Sequence, residues 1–105
     1  GKPLLLIAAK YSRDDNIDLL LKYGGDVNVH RSDNDTAANV AIRLGRFDIA
    51  AKLLERGLNH DLLRLAKDAE IRKVPPNSDA QRWKDKVIEM LKARGIQFPA
   101  FKPRE

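Results

Sequence analysis

The chain repeats itself at a spacing of 33 residues. Setting Gly45–Asn59 beneath Ser12–Asp26 places Arg46 on Arg13, Asp48 on Asp15, Leu53-Leu54 on Leu20-Leu21 and Gly57 on Gly24. Further upstream, Ala41-Ile42 falls on Ala8-Ala9 at the same offset. One such coincidence carries nothing, whereas several at one distance define a repeated unit. A unit this short cannot bury its own apolar face, so the fold has to be made by stacking like pieces in a row.

Each unit reads as a pair of helices. In the first, Leu5, Ile7, Ala8 and Ala9 form a short apolar helix ending near Tyr11-Ser12. A turn through Arg13-Asp14-Asp15 follows, and either aspartate is suited to cap the next helix by accepting its free N–H groups. Ile17, Leu20 and Leu21 then recur at i, i+3 and i+4, which is one buried stripe. Gly24 stands where the chain needs a left-handed residue to leave the helix. In the second unit Thr36 is placed to cap Ala37–Leu44, Gly45 allows the turn, Ile49, Leu53 and Leu54 form the stripe, and Gly57 ends it. The small residues Ala8, Ala9, Ala41, Ala50 and Ala51 suit close approach between helices.

In these residues the chain resembles the ankyrin-repeat family, whose pattern runs D-x-x-G-x-T-P-L-H-x-A-A-x-x-G, then L-L-x-x-G-A-D-V-N. Gly24-Gly25-Asp26-Val27-Asn28 follows the final run closely, Leu20-Leu21 and Leu53-Leu54 match the paired leucines, and Thr36 stands at the capping threonine. The likeness covers residues 3–58. It has departures: Asn34 for the finger glycine, Ala37 for the proline, Leu6 and Asn39 for the histidine, and Pro3 one place early. The resemblance implies an all-α solenoid of stacked antiparallel helix pairs with one β-hairpin finger, over Asp26–Asp35. The expected divisions are an incomplete repeat at 1–30, a repeat at 31–58, a degenerate C-terminal capping repeat at 59–96 and an extended tail at 97–105.

The third unit departs from the pattern. Asn59–Lys73 starts a helix almost at once, with Leu62, Leu63, Leu65, Ala66, Ala69 and Ile71 as its apolar positions and no room for a long finger. Val74–Gln81 is a stiff loop, because Pro75-Pro76 cannot continue a helix. Ser78 or Asp79 caps a last helix carrying Trp83, Val87, Met90 and Leu91 as its stripe. In the tail, Phe98 and Phe101 either fold back onto this cap or anchor a partner. At the other end Lys2-Pro3 enters directly at a first helix, so Leu4–Ile7 face solvent, removed upstream repeats or another chain.

Candidates for chemistry are few. His30 and His60 are the only histidines and there is no cysteine, so a disulfide framework and a cysteine-based metal site are excluded. Neither a zinc-protease helix motif, a phosphate-cradling glycine loop nor a nucleophile elbow is present. Asp14-Asp15 and Asp33/Asp35 resemble acid pairs or part of a calcium loop, but the glycine and distant glutamate of that loop are missing, and capping explains them more simply. Trp83 with Arg82, Lys84 and Lys86 could stack a base; its helical spacing with Val87 and Met90 reads more simply as core. No catalytic residue, cofactor, metal or small-molecule substrate is therefore expected.

Net charge is +5, and it is uneven. Residues 1–58 hold 9 basic and 8 acidic side chains, whereas residues 59–105 hold 11 and 7. The excess could steer the tail toward nucleic acid or another acidic partner, although solvated helix faces account for it too. No apolar run approaches the ~20 residues that span a bilayer. Absence of cysteine is compatible with any compartment, with the cytoplasm as the default and periplasm or secretion open.

What the resemblance implies is a protein-binding module, the C-terminal part of a longer array, whose partner is another protein. By that resemblance the partner-contacting residues are Lys10, Tyr11 and Tyr23 in unit one, His30, Ser32, Asp33 and Asp35 in the finger, and Arg43, Leu44 and Arg56 in unit two. The alternative is that Tyr11 and Leu44 pack against neighbouring repeats. Small ankyrin proteins with a capped last repeat also look like bacterial effectors or toxin-neutralising immunity proteins, which is a second expectation.

Overall fold

The structure, a computed structural model, describes residues 4–100. The expectations for Pro3 and Phe101 lie outside the described residues. Six helices follow one another: α1 (Leu4–Lys10), α2 (Asp14–Lys22), α3 (Ala37–Arg43), α4 (Phe47–Glu55), α5 (Leu62–Ile71) and α6 (Asp79–Ala93). The described residues form no strand. Both ends of α1 and α3, and of α2 and α4, lie 33 residues apart, so the spacing seen in the sequence is also the spacing of the helices.

The helix ends explain why. At the end of α4 the Gly57 N–H donates to Leu54 O (3.1 Å) and the Leu58 N–H to Leu53 O (3.1 Å). This paired closure requires a left-handed residue, and Gly57 supplies it at φ +97°. The same pair of bonds closes α2 at Leu20 and Leu21, and α6 at Leu91 and Lys92. It also closes the first helix of each unit, from Arg46 N to Ala41 O in unit two and Arg13 N to Ala8 O in unit one. The left-handed position is Gly45 in the one and Ser12, at φ 52°, in the other.

At the starts, Thr36 caps α3 as expected. Its hydroxyl oxygen accepts from Asn39 N–H (3.4 Å), and Asn39 Oδ1 accepts from both the Thr36 N–H (3.0 Å) and hydroxyl (2.7 Å). Ser78 caps α6 with its hydroxyl oxygen alone, which accepts from the Gln81 N–H at 3.2 Å. The aspartate caps expected for α2 do not form. Arg13 occupies the N-cap with no side-chain bond, and Asp14 lies in the first turn, where its charge favours the helix N-terminus and its carboxylate turns toward Arg46.

Helices of seven to fifteen residues are marginal alone in water, so packing holds them. α1 lies against α2 and α3, α3 against α4 and α5, and α6 against α4 and α5. Phe47, Ile49, Leu53 and Leu54 of α4 are fully or almost fully buried at the centre; each contributes about 1.5–3 kcal/mol by leaving water. Leu5 and Leu6 are buried too, which corrects the expectation for Leu4–Ile7: only Leu4, at 57% exposure, lies open there, with Ile7 half-buried. Arg94 fastens the last helix to α4 by donating to Leu58 O and Leu54 O at 2.9 and 2.8 Å. Phe98 packs back on the core. Trp83 is corrected as a core residue: at 38% exposure it stands in a groove with Asp48, Ile49, Lys52 and Glu55, with the Lys86 ammonium 5.1 Å from its ring centre.

The β-hairpin finger expected over Asp26–Asp35 is not formed. A single antiparallel bridge joins His30 to Thr36, and the rest of the segment is turns. Asp26 Oδ1 accepts from Asn28 N–H at 2.8 Å, the Asp26 carbonyl accepts from Val29 N–H, and a second turn runs from Arg31 to Asn34, which is left-handed at φ 69°. Backbone donors spent on these turns are lost to a ladder. The following connection, Arg56–Asp61, is too short to offer a second finger for pairing.

Candidate functional site

The segment between α2 and α3 is held down along most of its length. Asp35 is 3% exposed, and a buried carboxylate has to be paired. Arg43, one helix turn and a cap away, supplies both bonds: Nη1 to Oδ1 at 2.8 Å and Nη2 to Oδ2 at 2.5 Å. Asp68 of α5 stands 3.8 Å from the same guanidinium and accepts from Asn39 Nδ2 at 2.8 Å. Thr36, Asn39, Asp68, Arg43 and Asp35 thus form one chain of polar contacts joining the second unit to the third. Hydrogen bonding to Asp35, opposed by partial burial, raises the Arg43 guanidinium above its ordinary value, with Asp35, Asp68 and Asp33 adding attraction.

Four finger residues were expected to be free for a partner, and three are engaged by the fold. Asp35 is the buried pair just described. Asp33 Oδ1 accepts from Asp35 N–H at 3.1 Å, setting the turn. His30 stacks on His60 at the start of the third unit, with ring centres 3.6 Å apart and planes within 7°. Its Nδ1 lies 3.0 Å from Asn28 O, and His60 Nε2 lies 3.1 Å from Asn34 Oδ1. Ser32 alone is exposed with no bond among the described residues. Asn28 completes the seam, its side-chain oxygen accepting from Asn59 N–H (2.8 Å) and His60 N–H (3.1 Å).

The residues expected on the helices divide between two surfaces. Lys10, Arg43 and Leu44 come together in a cleft of about 240 Å³, which Arg31 and Val40 complete. Val40 is 8% exposed and Leu44 48%, so the floor is aliphatic. Around it stand three cations: Lys10 in the last turn of α1, Arg43 in the last turn of α3 and Arg31 in the connecting segment. Cations in the last turn suit the negative end of each helix. Arg31 was absent from the expected contacts. Only the fold brings it to α1 and α3, through the bonds from its N–H to Asp35 O and from Asn34 N–H to its carbonyl.

Tyr11 lies elsewhere. It lines an open groove of about 530 Å³ between α1 and α2, with Leu4, Ile7, Ala8, Arg13, Asn16, Leu19 and Leu20. Tyr23 and Arg56 end α2 and α4 as exposed caps and line neither cavity. Among the described residues no group of three or more His, Asp or Glu is placed to hold a metal ion, and no helix is long and apolar enough to cross a membrane. No protein-family model, curated protein or solved structure matches the chain.

Proposed function

We propose that the chain is a non-enzymatic protein-interaction module of ankyrin type, which binds a partner protein along the cleft between α1, α3 and the connecting segment. The observation that carries this reading is the cleft itself. It sets a half-exposed leucine among three cations, two of them arginines, and arginine is enriched in the anchoring positions of protein interfaces. Its shape depends on a polar network anchored on a buried carboxylate, so the surface is held in place before a partner arrives, which lowers the cost of binding. Leu44 is the anchor of this reading and Tyr11 is not part of it.

The same reading has a further helix pair stacked on the groove between α1 and α2. Internal symmetry supports it. Ala37, Val40, Ala41, Ile49 and Leu53, which are 33 residues beyond groove residues Leu4, Ile7, Ala8, Asn16 and Leu20, are all buried. Arg46 donates to Asp14 of the preceding unit at 2.9 Å and to Asp48 at 3.0 Å. Its counterpart Arg13 meets no carboxylate among the described residues. A preceding helix pair would cover the groove and complete Arg13, leaving the cleft beside it free.

Capture of the native partner tests the binding face. Leu44→Asp is expected to abolish capture while the melting transition is retained, and Tyr11→Ala to leave capture intact. Unchanged capture by a folded Leu44→Asp variant would exclude the cleft as the binding face.

A further inference from the structure

Charge distribution around the cleft specifies what kind of partner segment it accepts. Lys10, Arg31 and Arg43 line it, and no carboxylate does. The Arg43 fork is already filled by Asp35 behind it, with Asp68 and Asp33 nearby. Lys10 and Arg31 are both exposed, and neither has an ion-pair partner among the described residues. Lys10 rests only near the face of Tyr11, 5.6 Å from the ring centre. Two cations therefore remain unsatisfied over an aliphatic floor, one a planar fork suited to a carboxylate and one a point charge.

We propose that this cleft takes a glutamate or aspartate side chain from an extended segment of the partner protein, with an adjoining aliphatic side chain on Val40 and Leu44. The proposal rests on the protein-binding reading above and gives that partner its chemistry. Size agrees with one acidic side chain and a neighbour. About 240 Å³ amounts to roughly eight water volumes at ~30 Å³ each. A single-stranded nucleic acid fits less well, because stacking platforms for bases are aromatic and no aromatic ring lines the cleft. The aliphatic floor also sets it apart from a site for a free inorganic anion, which would leave Val40 and Leu44 without a contact.

The test uses the ¹⁵N-labelled chain and short synthetic peptides with a central Leu-Glu-Leu between Gly-Ser flanks. Leu-Gln-Leu and Leu-Lys-Leu versions and a short single-stranded DNA serve as the other arms. The Glu peptide is expected to shift the amides of Lys10, Arg31, Val40, Arg43 and Leu44. Its affinity is expected to fall about tenfold for the Gln version, the effect of losing one charge-assisted pair. A similar fall is expected with Arg31→Gln or Lys10→Gln, exposed positions whose replacement leaves the Asp35–Arg43 pair intact.

Equal binding of Glu and Gln peptides at these residues overturns the acidic-segment proposal while leaving the protein-binding reading standing. Tighter binding of the DNA at the same amides also overturns it, as does the absence of shifts there with any peptide up to roughly millimolar concentration. Failure of the underlying reading is seen separately, in the Leu44→Asp capture experiment.

Discussion

Removing the Arg43 guanidinium is expected to be far more damaging than removing the charge it binds. Asp35 has a side chain 4% exposed, whereas that of Arg43 is 49% exposed. Arg43→Met keeps most of the stem but leaves a buried carboxylate without either of its two close donors. Breaking a fully buried pair from one side costs about 3–5 kcal/mol. Space vacated by the half-exposed guanidinium admits water, which places the cost near the lower end, about 3 kcal/mol. In a domain of this size that corresponds to a fall in melting temperature of about 12 °C or more. Asp35→Asn leaves a guanidinium that water already reaches, and its amide oxygen still accepts one bond, so the cost is about 1 kcal/mol. The two changes share one interaction, so the double variant should cost less than the sum. Urea denaturation followed by circular dichroism measures all three. The reasoning is refuted if Asp35→Asn costs as much as Arg43→Met, or if both fall below about 0.5 kcal/mol, the range of ordinary surface changes.

Other expectations concern helix ends and charge. Ser12 occupies the left-handed position that Gly45 holds in the next unit, so Ser12→Gly should raise the urea midpoint by about 0.5 kcal/mol of stability and Gly45→Ser lower it by about 1 kcal/mol or more. A Cβ at position 45 would also stand 3.2 Å from the Arg72 guanidinium. Gly57→Ala meets nothing within 4 Å, so its cost, about 1 kcal/mol by the same measurement, is backbone strain alone. The Arg46 guanidinium holds the Asp48 carboxyl below the usual carboxylate range, against a smaller upward push from burial. A carboxyl lowered by folding stabilises above its unfolded value, about 4, and this contribution is lost as pH falls through the folded value. Asp48→Asn should therefore flatten the acid limb of the stability–pH curve and leave its slope near neutrality unchanged.

Helix pairs were legible in the sequence because their determinants are local. Gly24 and Gly57 mark stops, Thr36 marks a start, and the Ile17–Leu21 and Ile49–Leu54 stripes mark the faces turned to the core, with Leu20 and Leu21 only half-buried. Where the sequence reading differed, non-local contacts decided. Asp14 looked like a cap, but the turn brings Arg46 to it from 32 residues away. Asp26–Asp35 looked like a hairpin, but its side chains and left-handed Asn34 tie it into turns. Trp83 shares the apolar spacing of Val87, yet it rises to the surface beside Lys86, because the stripe of a helix fixes direction and not depth. Within the candidate site, Lys10, Arg43 and Leu44 were implied by the resemblance to ankyrin repeats. Arg31 was not, since its place at the cleft depends on the backbone bonds around Asn34 and Asp35. Asp35 was misassigned for a related reason: an acidic residue in a polar segment reads as exposed until Arg43 is seen against it.

Binding at the cleft can be tested with a photo-crosslinking residue, p-benzoylphenylalanine, placed at Leu44 on the cleft or at Trp83 in the α4–α6 groove. Both positions are half-exposed, at 48% and 38%, so both variants should fold, and irradiation in the source cells compares the two surfaces under one set of conditions. The account predicts a discrete partner adduct from position 44, suppressed when Lys10 and Arg31 are changed to Gln, and none from position 83. An adduct from position 83 with none from position 44 would contradict it.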